Sequence, residues 1–237
     1  SAAGAGLAAS LPAAAWARED ADAALDRLMD GWFQDDLERS PTRATNLGLD
    51  RGDKAYLASR LGDYSQQAED DNRARAIARW AELEAFPTEG QSENGRLNYA
   101  VAAFRQETSA LGARLDHGGG GRSPYAITQL SGAYYSVPDF MDNQHRVQDQ
   151  DGAEAFLARL SQFGPALDHE TQRTLAAADA GVIAPDYILD LAIGQVEALA
   201  AMRSDRMAMI ASLERKATAA GLGGYGARGA AMVETEV

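Results

Sequence analysis

From Ala21 to the end of the chain, apolar residues recur at steps of three and four, and no bounded stretch alternates apolar with polar residues. A 3.6-residue period gathers its apolar members on one helix face, whereas a half-buried strand needs a period of two. Leu25, Leu28, Trp32, Phe33 and Leu37 make the first stripe. Ser40-Pro41 opens a second helix, with Ser as N-cap and Pro in the first turn, and Gly48 stops it. Residues 65–86 predict a strongly charged helix with Ile77, Trp80, Leu83 and Phe86 on its apolar face and Pro87 closing it. Ser92 caps the next, where Leu97, Val101, Phe104, Thr108, Leu111 and Leu115 share a face. Further helices are expected over 151–163 and 165–180, the latter ending at Gly181. Two more run from Pro185 to about Met202 and, capped by Ser204, to Gly221. The chain is rich in alanine and only 7% aromatic, which favours helix over strand. The expected fold is all-α: an antiparallel, bundle-like multi-helix array with one long, irregular, aromatic-rich loop.

The 237 residues suit one large domain or two small ones. With 22 basic and 35 acidic residues the net charge is −13, which disfavours nucleic acid and anionic membrane surfaces as partners. Nearly every cation is arginine, since Lys54 and Lys216 are the only lysines. Without cysteine there are no disulfides, no thiolate metal ligands and no thiol nucleophile. No apolar run has the length of a membrane span. Residues 1–17 come nearest: uncharged, rich in Ala and Gly, ending in Ala15-Trp16-Ala17 before Arg18-Glu19-Asp20. This reads as the remnant of a secretory signal whose basic segment is not present. Export, to the periplasm or outside the cell, is therefore expected, with a weakly hydrophobic core of the twin-arginine kind. Residues 18–237 then form the helical domain.

The helical rhythm breaks between Leu115 and Gln150. Residues 123–147 concentrate Tyr125, Gln129, Tyr134, Tyr135, Asp139, Phe140, Asp142 and His145 in irregular or short helical backbone. Such a loop on a rigid scaffold suits a binding site, or equally a plug at the end of a bundle. Here the sequence resembles a known family. The runs YAITQLSGAYYSVPDFMDNQH, AEAFLARLSQF (153–163) and GVIAPDYILD (181–190), with SPTRATNLGLDRG and RLNY (96–99), are similar to the bacterial domain-of-unknown-function 885 proteins. The resemblance spans residues 20–237. It implies an exported or lipid-anchored protein of zinc metallopeptidase type, with a HExxH-like motif and a downstream glutamate in a C-terminal half. This chain corresponds to the N-terminal part. The closing segment GARGAAMVETEV (226–237) reads as the opening turns of a further amphipathic helix, so truncation of a longer chain is expected.

Zinc chemistry needs two imidazoles one helical turn apart, with a glutamate beside the first. His169-Glu170 begins such a pattern, but Arg173 stands where the second histidine would be. His117, His145 and His169 never pair at ligand spacing, so no metal site is expected within this chain and zinc is implied only for the full-length family. GLGGYG (221–226) fits G-x-G-x-x-G formally, yet it follows a helix rather than a strand, and Gly221 reads as a helix stop. GGGG (118–121) lacks the lysine of a phosphate loop. Ser131-Gly132 lacks a nucleophile elbow, and Ser131, His145 and Asp139 could form a triad only if the fold assembled them. Met202, Met207 and Met209 read as packing groups. Two functions remain. The chain is the N-terminal helical scaffold of an exported, peptidase-like zinc hydrolase, inactive by itself and docking on a C-terminal catalytic half. In that case Gln129, Tyr134, Tyr135, Asp139 and His145 are candidates to face a peptide substrate. Alternatively it is a free-standing periplasmic helical binding module. The first reading also predicts a substantial apolar surface left uncovered.

Overall fold

Local signals set most helix boundaries in the computed structural model, which describes residues 13–115 and 124–236. The helices are α1 (Ala13–Arg39), α2 (Pro41–Leu47), α3 (Gln66–Glu84), α4 (Glu93–Ala113), α5 (Ala133–Asn143), α6 (Gln150–Leu160), α7 (Phe163–Asp179), α8 (Asp186–Ala200), α9 (Ala208–Ala219) and α10 (Tyr225–Glu236). A 3-10 turn over Gly52–Ser59 joins α2 to α3. The fold is all-α; among the described residues the one β feature is an isolated bridge, Thr128 to Ser131. Ser92 caps α4 as expected, its hydroxyl accepting from the Gly95 N–H at 3.0 Å. Ser65 and Asp149 do the same for α3 and α6. Gly221 ends α9 at φ +75°, where the Leu222 N–H folds back to the Ala217 carbonyl. That left-handed residue is a helix stop, not part of a phosphate-binding turn. The first twelve residues of the expected signal remnant, His117 and the 118–121 glycines lie outside the described residues.

Three expectations change. Ser40 precedes α2 but makes no side-chain cap bond; Pro41 in the first turn starts the helix by fixing φ. Ser204 does not cap the following α-helix either. Its hydroxyl lies 2.7 Å from Glu234 of α10, and a 3-10 turn (Ser204–Arg206) separates it from α9. Most of the expected irregular loop is α5, with Pro138 inside it. Proline has no N–H, so the Tyr134 carbonyl loses its intrahelical partner, and flanking Gly132 masks the helical signal further.

The main core lies where α5, α6, α7, α9 and α10 meet, built on Phe156, Phe163, Leu160, Met141, Ile210 and Leu213. Met207 and Met209 belong to it as packing groups, whereas Met202 stays 42% exposed. Leu37, Ala44 and Leu57 form a small second cluster under α1, α2 and the 3-10 turn. Tyr99, early in α4, donates to the Leu83 carbonyl near the end of α3, and Arg73 near the start of α3 donates to Leu115 beyond α4. The two helices are therefore antiparallel, and α4 also touches α1. The apolar stripe of α4 does not enter a core: Phe104 is 73% exposed, and Leu97, Val101, Leu111 and Leu115 are more than half exposed. It is the small side, with Gly95 and Ala110, that α4 buries. α8 is barer still, burying only Ala192 while Tyr187, Leu191 and Ile193 stay more than half exposed.

Candidate functional site

The backbone dipole of α5 makes its first N–H groups an anion site and its last carbonyls a cation site. Both are filled from other helices. Glu170 of α7, almost fully buried, accepts from the Ala133 N–H at the start. Lys216 of α9 places its ammonium 2.6 Å from the Asp142 carbonyl and 2.7 Å from that of His145 at the end. Gly132 at the N-cap has φ +122°, and a Cβ there would lie 3.1 Å from the Tyr134 ring and 3.3 Å from Glu170 Oε2. Only glycine leaves room for the carboxylate to reach the helix end. Burial raises the Glu170 pKa, opposed by the Ala133 N–H and Arg173, and burial lowers that of Lys216.

Beside Glu170 lies a cavity of about 490 Å³, walled by Tyr134, Phe163, Leu167, Val196 and Met207. The Tyr134 hydroxyl sits 2.8 Å from the Thr128 carbonyl and 2.7 Å from the Gln195 side-chain oxygen, tying α8 to the segment before α5. The walls are apolar apart from Tyr134, Thr171 and the Ser204–Glu234 pair, so Glu170 is the one buried carboxyl an occupant would meet. Such a group accepts a hydrogen bond when ionised and donates one when protonated.

At the other end of α5, Arg159 is completely buried without a carboxylate partner. Its Nε donates to the Arg60 carbonyl at 2.9 Å, and its Nη2 to the Leu57 carbonyl at 2.9 Å and Thr45 Oγ1 at 2.6 Å. Nη1 donates to His145 Nδ1 at 2.8 Å, and the guanidinium lies 4.8 Å from the centre of the Phe140 ring. His145 must therefore carry its proton on Nε2, which donates to the Gly152 carbonyl at 3.0 Å. Burial, with Arg159 and Lys216 nearby, lowers the His145 pKa to about 4. Burial brings Arg159 to about 10, so it stays charged at neutral pH.

Of the five candidates, only Tyr134 lines the cavity. Tyr135, one residue along the helix, is 47% exposed on the other side. Asp139 is on the outer face, accepting from Asn143 at 2.8 Å. Gln129 is half-buried in the turn before α5. His145 is 3% exposed and committed to Arg159 and Gly152, so burial removes it from any cleft wall. Ser131 bonds to Thr128 at 2.8 Å instead of His145, and no triad forms. Sequence reasoning passed over Arg159 and took Glu170 only as the start of an incomplete zinc pattern. Both sit on apolar helix faces, Arg159 in phase with Ala155 and Phe156, and Glu170 with Phe163, Ala166 and Leu167. A charge inside an apolar stripe was the available signal.

These residues do not fit zinc. His145 accepts from a guanidinium, Glu170 is turned to the α5 terminus, and Arg173 points to Tyr64 and Glu69. Among the described residues no group of three His, Asp or Glu side chains could hold a metal ion. Nor is any helix among them long and apolar enough to cross a membrane.

The sequence model of a family described as bacterial proteins of unknown function, DUF885, matches residues 41–236. The chain belongs to this family. This DUF885 member shares its fold with a crystal structure described as a lipoprotein from Colwellia psychrerythraea, at a TM-score of 0.76 and 18% identity. The match covers 94% of the DUF885 chain and 38% of the other, so the chain spans well under half the length of that relative. No curated protein matches.

Proposed function

We propose that this chain is the helical scaffold of a larger exported protein of hydrolase type, offering its exposed α8 face to further polypeptide that carries the chemistry. The exposure of α8 carries the reading. A 15-residue helix that buries only Ala192 forgoes most of the hydrophobic stabilisation a helix gains by packing. The shorter span relative to the lipoprotein supports it, because that relative has polypeptide beyond the matched part. The peptidase-like, zinc-dependent character of the whole belongs to the same proposal, with the metal supplied outside this chain. Export draws its support from residues 1–17 and from the lipoprotein description of the relative. The cavity beside Tyr134 and Glu170 favours a second reading, a free-standing binding module. Elemental analysis of purified residues 18–237 tests the first: we expect no stoichiometric zinc and no peptidase activity, and one tightly held zinc per chain would sink it.

A further inference from the structure

A second cavity, remote from α5, lies in the layer formed by α1, α3 and α4. Its volume is about 590 Å³, in the range of small-molecule sites. Its lining inverts the charge of the protein. The chain has 35 acidic and 22 basic residues, yet this groove is lined by Arg43, Arg75, Arg79 and Arg105 against a single carboxylate, Asp36.

The arginines differ in how far they are satisfied. Arg79 is engaged at both terminal nitrogens, with Nη1 2.8 Å from Asp36 and Nη2 2.9 Å from the Trp32 carbonyl and 3.0 Å from Asp35. Arg75 is not. Its Nη2 meets Asn72 at 2.6 Å and its Nε lies 3.5 Å from Asp35, but its Nη1 is buried with no hydrogen-bond partner. A buried unpaired N–H on a cation is costly. Burial and the neighbouring Arg39 and Arg79 also disfavour its charge. Arg43 and Arg105 reach the groove from exposed positions, Arg43 against the Phe33 ring. Between these cations the wall is apolar: Met29, Trp32, Leu97 and Val101. The last two are more than half exposed, an unusual place for an unpaired Leu and Val beside guanidinium groups.

We propose that the groove between α1, α3 and α4 binds an amphipathic small anion, whose carboxylate or phosphate head pairs with Arg75 and Arg105 and whose apolar body lies along Trp32, Leu97 and Val101. Guanidinium groups match such heads in planar, bidentate geometry. A small shift of the Arg75 side chain turns its unpaired N–H to the head group and ends the deficit. The apolar wall predicts that a bare anion binds more weakly than one with an apolar body. This site is independent of the scaffold role of α8, which lies in a different part of the fold.

Calorimetric titration with octyl phosphate tests it, using octanol and inorganic phosphate as the separated halves of the ligand. We expect one saturable site per chain, with each half at least 100-fold weaker and an affinity that falls as salt is added. Arg75→Met should weaken binding by 10-fold or more. Arg105→Ala, at an exposed side chain that does not endanger folding, should weaken it several-fold. Equal binding of octanol, equal affinity in both variants, or binding only to vesicles of anionic lipid would overturn the proposal. A carboxylate analogue, octanoate, distinguishes the two head groups, and either one binding through the arginines supports it.

Discussion

Arg159 and His145 are the residues on which one end of α5 depends. Arg159→Met would leave the buried His145 Nδ1 and Thr45 Oγ1 without their donor, and would take the side-chain donor from the Arg60 carbonyl. We expect a loss of about 3 kcal/mol in urea denaturation, the usual cost of orphaning buried acceptors. His145 makes the same region sensitive to acid. Its pKa falls from 6.5 to about 4 on folding, so between those values the unfolded chain binds the proton and the folded chain does not. Stability therefore drops as pH falls through that window and levels below it, by about 3 kcal/mol for this group. His145→Gln can accept from Arg159 and donate to Gly152 without titrating. Denaturation at pH 7 and pH 4 should find the wild type losing about 3 kcal/mol more than this variant. Equal losses would mean that His145 titrates normally in the folded protein.

The helices fall into two kinds. α5 is short and interrupted by Pro138, yet it is packed on α7 and α9 and charge-matched at both ends. α8 is longer and more apolar, yet it is fastened chiefly by Tyr134–Gln195 and by Leu199 against the core. Local stability follows packing rather than propensity. In native-state hydrogen exchange the α8 amides should lose protection at least 100-fold faster than those of α5 and α6. Similar protection in all three would mean that α8 is held by more than these contacts. The α4 stripe makes the same point: its period announced an apolar face, and the fold turned the opposite, small-residue face inward.

For the molecule as a whole, α4 and α8 leave rows of large apolar side chains exposed, and such faces favour association. The isolated chain should bind a hydrophobic dye and self-associate despite its charge of −13. Tyr187→Glu with Leu191→Glu should reduce both, since neither side chain is buried. Light scattering that finds a clean monomer without dye binding would count against an uncovered interface, and against the scaffold role. Helix content and the stops at Gly48 and Gly221 were legible in the sequence because each rests on neighbours within about one helical turn. α5 was obscured because Gly132 and Pro138 are local helix-breaking signals, overridden by Glu170 and Lys216 from 37 and 74 residues away. Burial of His145, the cavity beside Tyr134 and the arginine groove were likewise invisible, as each joins side chains far apart in sequence. Sequence alone determined that this chain would be helical, since hydrophobic period and backbone propensity act locally. Which apolar faces were buried and which were left bare only the tertiary structure decided, because an amphipathic helix specifies a face but not the partner that covers it.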